Sequence, residues 1–140
     1  MVYESHMGIK KTYITWNQVY KLLDKIHEQA DDIKYVSGIP RGGLVLAVLY
    51  SHRYNVEYME YPSNHYPRLL ILDDIADTGN TLKEWKERLH VPHYATLHYK
   101  RSSVIEPDYY GKKMIKEDRW IVYPWERKDS NTIQDYLDIK

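Results

Sequence analysis

The chain has 140 residues, with 20 Lys and Arg against 20 Asp and Glu, so its formal charge at pH 7 is zero; that length suits one domain with a sizeable core, and the missing positive field disfavours a protein that lives by binding nucleic acid. Cysteine is absent, which removes a disulfide framework, a thiolate metal site and a cysteine nucleophile. The longest apolar run, residues 44–50, is far too short to cross a bilayer, and no charged-then-apolar signal pattern opens the chain, so a soluble, cytoplasmic protein with no membrane span is expected.

Residues 1–8, with Ser5-His6-Met7, read as a cloning remnant or a disordered leader, and the domain is expected to span 9–140. Residues 11–16 form a β-prone run. Thr15 or Asn17 then caps a helix over 17–30 with Val19, Leu22, Leu23 and Ile26 on one side. A strand over 33–36 ends in Ser37-Gly38-Ile39-Pro40-Arg41-Gly42-Gly43, before an apolar helix from Leu44 to about His52. The glycines allow close backbone approach to a ligand, and Arg41 can pair with an anion in bidentate fashion. The loop lacks the Gly-Lys-Ser/Thr ending of a P-loop and the Gly-x-Gly-x-x-Gly dinucleotide pattern, and a plain strand-to-helix turn is its simplest alternative. Residues 56–61 alternate as a strand, and 62–67 turn the chain.

Leu69-Leu70-Ile71-Leu72 reads as a strand buried on both faces, running straight into Asp73-Asp74. Carboxylates at the carboxyl end of a strand in an open α/β sheet lie on the edge where ligands bind. A helix follows with Leu82, Trp85 and Leu89 on one face, and Thr81 with Glu84 makes a capping box. Asp77-Thr78-Gly79-Asn80-Thr81 thus offers backbone N–H groups, hydroxyls and a positive dipole end to a phosphate. An anion cradle beside two acids suits a ligand that carries a phosphate together with a sugar diol or Mg2+.

Pro92 ends that helix; 93–99 form a further strand with Lys100 at its carboxyl end, and 102–116 read as a connection with one short strand near 108–110. Residues 120–126 are aromatic-rich, and a short amphipathic helix is expected over 131–139. Alternating strands and helices predict an α/β fold: a doubly wound, mostly parallel sheet of about five strands flanked by helices, with a core over about 30–100 and a small C-terminal hood over about 101–126. His93 and His98 fall on opposite faces of their strand and His90 and His93 flank Pro92, so no histidine metal site is expected.

The buried strand, Asp73-Asp74, two-residue spacer and Asp77-Thr78-Gly79-x-Thr81 together resemble the phosphoribosyl-pyrophosphate motif of the type I phosphoribosyltransferases. Tyr13-Ile14-Thr15-Trp16, Arg41-Gly42-Gly43-Leu44, Lys100 and Trp120-Ile121-x-x-Pro124-Trp125-Glu126 extend the likeness to the bacterial xanthine-guanine, or 6-oxopurine, branch over about residues 10–126. The resemblance implies that Asp73 and Asp74 hold the ribose hydroxyls, with Asp74 near Mg2+, and that Thr78, Gly79, Asn80 and Thr81 wrap the 5-phosphate. Asp77 would be the general base at the purine imidazole, and Arg41, Gly42 and Gly43 would bind the leaving pyrophosphate. Lys100 would recognise the 6-oxo group, Trp120 stack on the base, Ile121 offer backbone contacts and Glu126 stand near the 2-position; Trp125 is taken as structural.

The partners so implied are phosphoribosyl pyrophosphate and a purine base, in a purine-salvage homodimer or homotetramer. Two departures stand out: residues 62–67 replace the family's long mobile loop, and Arg101, not proline, follows Lys100. Shielding then falls to another segment such as 102–116, or to a neighbouring subunit, or turnover is slow. The rival readings are a regulatory nucleotide-binding protein that retains the donor loop, and a transferase for another base.

Overall fold

A computed structural model describes residues 2–4, 10–115 and 119–128, and the helix expected over 131–139 lies outside them. The order is β1 (Val2–Glu4), β2 (Lys10–Tyr13), α1 (Trp16–Gln29), β3 (Tyr35–Gly38), α2 (Gly42–Tyr54), β4 (Glu57–Tyr58), β5 (Leu69–Ala76), α3 (Asn80–Arg88), β6 (His93–Lys100), β7 (Tyr109–Met114) and β8 (Arg119–Val122). No helix among the described residues is long and apolar enough to cross a membrane.

The main sheet has the strand order β4-β3-β5-β6-β7, and every neighbouring pair is parallel. At its centre Leu69, Leu70, Ile71 and Leu72 are all fully buried. Leu70 and Leu72 enter the cluster that holds Val19, Leu22, Leu23 and Ile26 of α1 and Leu46, Ala47 and Tyr50 of α2. Leu69 and Ile71 enter the opposite cluster, with Leu82 of α3. Helices thus cover both faces, which is why four consecutive aliphatic residues are tolerated in one strand.

From β3 the chain passes through α2 to β4 on one side, whereas from β5 it passes through α3 to β6 on the other. The loops leaving β3 and β5 diverge, and an open crevice at such a reversal is where α/β sheets place ligands. A second sheet, β1-β2-β8, pairs β2 parallel to β8 and brings residues 119–122 beside the start of the domain.

Several boundaries differ from the sequence-based expectations, each because a neighbouring strand or a turn decides it. β5 does not stop at the acids: its ladder with β6 carries Asp73 and Asp74 on to Ala76. β3 starts at Tyr35, where pairing with Leu69 begins, not at Ile33. β4 keeps two residues of the expected six-residue run because it sits at the sheet edge with a partner only on β3. Thr15 caps α1, its Oγ1 accepting from the Gln18 N–H at 3.2 Å while Gln18 Oε1 accepts from the Thr15 N–H at 2.8 Å. α3 begins at Asn80, because Gly79 at φ 85° turns the chain into the helix and places Thr81 inside its first turn instead of at its cap.

β7 is longer than expected and completes the main sheet, with Ala95 opposite Tyr109 and Lys100 opposite Met114. Its Gly111 lies under α1: a Cβ there would stand 2.8 Å from Leu22 Cβ and 2.8 Å from the Leu97 carbonyl oxygen. Gly111→Ala is therefore expected to lower folding stability by about 1–3 kcal/mol through overpacking, read as a lower midpoint in urea with an unchanged slope. An unchanged midpoint would mean that α1 does not rest on this strand.

Candidate active site

β3 pairs with β5 only as far as Gly38 opposite Leu72, whereas β5 continues along β6 to Ala76 opposite Tyr99. One side of Asp73–Ala76 is thereby left for the loop after β3. Three glycines dock that loop on the strand end. A Cβ on Gly38 would meet Gly43 O at 2.0 Å, one on Gly43 would meet Leu72 O at 2.2 Å, and one on Gly42 would meet Asp74 Oδ2 at 2.2 Å. The glycines thus permit a close approach of the loop to the strand and its acid. The Gly43 N–H donates to Ile39 O at 2.9 Å, the Pro40–Arg41 peptide is cis, and Arg41 is exposed.

The acid pair is tethered to its own backbone. Asp73 Oδ1 accepts from the Asp74 N–H, and Asp74 Oδ1 accepts from the Ile75 N–H, each at 2.8 Å. Thr78 Oγ1 accepts from the Asn80 N–H at 3.2 Å, and the Thr81 hydroxyl is buried in the first turn of α3 with no hydrogen-bond partner. The β6–β7 connection lies against this donor loop: the Val104 N–H donates to Thr78 O at 2.8 Å, and a Cβ on Gly79 would stand 2.2 Å from Ser103 Oγ. The 59–68 segment is instead tied elsewhere, since Asn64 Oδ1 accepts from the His90 N–H at 2.7 Å, ahead of the amino end of β6.

Lys100, 6% exposed at the carboxyl end of β6, places Nζ 3.2 Å from Asp77 Oδ1. Trp120 and Ile121 lie on β8 in the second sheet; the Trp120 indole N–H is buried without a partner, and the Ile121 side chain turns into the core, which leaves its backbone for any ligand. Glu126 Oε1 accepts from the Tyr123 N–H at 2.8 Å and closes the 123–126 turn, while Trp125 packs between Tyr123 and Trp16.

Two residues that the sequence did not single out link these parts. The Tyr123 hydroxyl donates to the Asp74 carbonyl oxygen at 3.0 Å and lies 2.8 Å from His98 Nδ1. Burial pushes the Tyr123 hydroxyl well above its ordinary range, and the charges of Asp74, Glu126, Asp73 and Asp77 add to that effect. Burial, helped by the charge of Lys112, lowers His98 to about 4, so its ring is neutral near pH 7. The available signal is Tyr123's place inside the aromatic 120–126 run, whereas nothing in the sequence around His98 points to this contact.

Among the described residues no group of three or more His, Asp or Glu side chains is arranged to hold a metal ion alone. The donors present are the hard oxygens of Asp73 and Asp74. They fit Mg2+, which is commonly held by one or two carboxylates together with substrate phosphates.

No family model matches the chain. A purine phosphoribosyltransferase from Pyrococcus horikoshii Ot3, known from its crystal structure, is 31% identical, with 84% of this chain and 95% of that chain covered and a TM-score of 0.61. A xanthine-guanine phosphoribosyltransferase from Cereibacter sphaeroides is 28% identical, covering 84% of this chain and 87% of its own. The xanthine-guanine-hypoxanthine phosphoribosyltransferase of Helicobacter pylori, at 19% identity over 83% of this chain and 93% of that one, shares the fold with a TM-score of 0.68.

Proposed function

The chain belongs to the type I phosphoribosyltransferases, and on that premise we propose that it transfers the 5-phosphoribosyl group of phosphoribosyl pyrophosphate to a 6-oxopurine, guanine, xanthine or hypoxanthine, releasing pyrophosphate with Mg2+. The observation that carries the 6-oxopurine reading is the ion pair of buried Lys100 with half-buried Asp77, 3.2 Å apart. An ammonium donor next to a carboxylate acceptor matches the 6-oxo oxygen and the adjacent imidazole N–H of such a base. Relatives named for guanine and xanthine support the same choice.

In this reading Thr78, Gly79, Asn80 and Thr81 take the 5-phosphate at the amino end of α3, where the Thr81 hydroxyl gains the partner that it lacks. Asp73 and Asp74 accept from the ribose hydroxyls, and their backbone tethers keep them oriented before the donor arrives. Arg41, Gly42 and Gly43 would bind the leaving pyrophosphate, with Gly42 packed against Asp74. Mg2+ at Asp74 would neutralise the charge that develops on that group. Trp120 stacks on the base, Ile121 offers its backbone and Glu126 lies near the 2-position. Asp77 takes the imidazole proton as the base nitrogen attacks the anomeric carbon, and no covalent nucleophile is required.

A second reading, a nucleotide-binding protein without turnover, is favoured by one observation: the 59–68 segment is fastened toward the opposite edge of the sheet, so that shielding falls to 103–105. Calorimetry with phosphoribosyl pyrophosphate is expected to show binding that requires Mg2+. Absence of binding at about millimolar donor would contradict both readings, and donor binding without pyrophosphate release for any base would select the second.

A further inference from the structure

We propose that Tyr123, oriented by His98, is a positioning residue that holds the base-binding segment 120–126 in register with the donor acids through its bond to the Asp74 carbonyl. This role rests on the transferase reading given above.

The contacts leave little choice of proton arrangement. A tyrosine hydroxyl has one proton, and Tyr123 spends it on the Asp74 carbonyl, which can only accept. His98 Nδ1 at 2.8 Å must then be the protonated ring nitrogen, donating to the phenol oxygen. Both side chains are nearly sealed, with Tyr123 2% and His98 3% exposed, so water does not supply a substitute bond. The raised Tyr123 pKa keeps the donor proton in place across the working pH range.

The three residues come from separate parts of the fold. Asp74 lies on β5, His98 on β6, and Tyr123 immediately follows β8 of the second sheet. Tyr123 is also fixed from its own side: its N–H is held by Glu126 Oε1 at 2.8 Å, and its ring stacks on Trp125 with centroids 5.0 Å apart. The β2 ladder and the packing of Ile121 hold β8 in the fold, and the buried phenol adds a directed hydrogen bond from the segment that carries Trp120 and Ile121 to the backbone of Asp74 itself. In-line transfer demands that the base and the anomeric carbon meet within a narrow range of positions, so a loosened link costs rate before it costs the fold.

The test compares Tyr123→Phe, His98→Asn, His98→Leu and Trp125→Phe. Tyr123→Phe is expected to lower kcat/KM for the base by about tenfold, the scale of one lost buried hydrogen bond, with kcat falling further than donor affinity. His98→Asn keeps an N–H near the Nδ1 position and should stay within about twofold of the parent, whereas His98→Leu should behave like Tyr123→Phe. Trp125→Phe disturbs the same stack without touching the hydroxyl and separates packing from positioning. Equal losses in Trp125→Phe and Tyr123→Phe, or an unchanged Tyr123→Phe, would overturn the proposal. If the parent protein releases no pyrophosphate with any base, the transferase reading fails on its own, and nitrogen NMR still decides the link. His98 is then expected to carry its proton on Nδ1, and Tyr123→Phe to speed amide exchange at Ile75; a proton on Nε2, or unchanged exchange, refutes it.

Discussion

Replacing Asp77 by Asn is expected to lower kcat by about 10²-fold, the usual span for loss of a general base, while the dissociation constant for Mg2+-loaded donor moves by no more than about threefold. The difference follows from where Asp77 stands. Its carboxylate lies 3.2 Å from Lys100 Nζ, and in the proposed assignment these two serve the base while Asp73, Asp74 and residues 78–81 serve the donor. An amide in its place cannot take the imidazole proton, and it also leaves the Lys100 ammonium, 6% exposed, without its carboxylate. Single-turnover kinetics beside donor calorimetry separates the two effects. A variant that binds donor poorly yet turns over near the parent rate would remove Asp77 from the proton-transfer role.

Gly42→Ala and Gly43→Ala should fail in different ways although the residues are adjacent. A Cβ on Gly42 would lie 2.2 Å from Asp74 Oδ2 and 2.8 Å from Asp74 Cγ, both atoms of a side chain that can swing aside. The fold then survives and the acid is displaced, and a shift of about 1 Å in a reacting group costs on the order of 10²-fold in rate. A Cβ on Gly43 would instead lie 2.2 Å from the Leu72 carbonyl oxygen, a backbone atom within the central strand. That clash has no cheap exit, so Gly43→Ala is expected to lose soluble folded protein. Circular dichroism with steady-state kinetics distinguishes the outcomes, and an active Gly42→Ala would show that the loop does not press on Asp74.

Local pattern made much of this fold readable in advance. Four aliphatic residues before two acids identify a doubly buried strand, and Val19, Leu22, Leu23 and Ile26 mark the inward face of α1 without knowledge of what they meet. The candidate donor loop is legible as a pattern for the same reason, since the residues proposed for it lie within nine consecutive positions, 73–81. Features set by distant partners are not. Where β5 ends depends on β6, and what Gly42 approaches depends on a side chain 32 positions later in the chain, at Asp74. Tyr123 finds His98 from 25 residues away and Asp74 from 49, and no periodicity announces either contact.

The exchange of phenylalanine for tyrosine, 15 Tyr and no Phe, gains part of its meaning only in three dimensions. Tyr50 meets His27 Nδ1 at 2.6 Å, Tyr54 donates to Asp24, Tyr94 donates to the Trp85 carbonyl at 3.2 Å, and Tyr123 donates to Asp74. Each keeps an aromatic body in or against the core while its hydroxyl fastens a second element. The Asp24 bonds with Tyr54 and Arg53 tie α1 to α2.

The central claim, a 6-oxopurine phosphoribosyltransferase, is tested most directly by measuring pyrophosphate release from phosphoribosyl pyrophosphate with Mg2+ and, separately, guanine, xanthine, hypoxanthine, adenine or orotate. Release with one or more of the three 6-oxopurines, and little with adenine or orotate, is the predicted result. Release with adenine or orotate alone, or with none of the five, would contradict it.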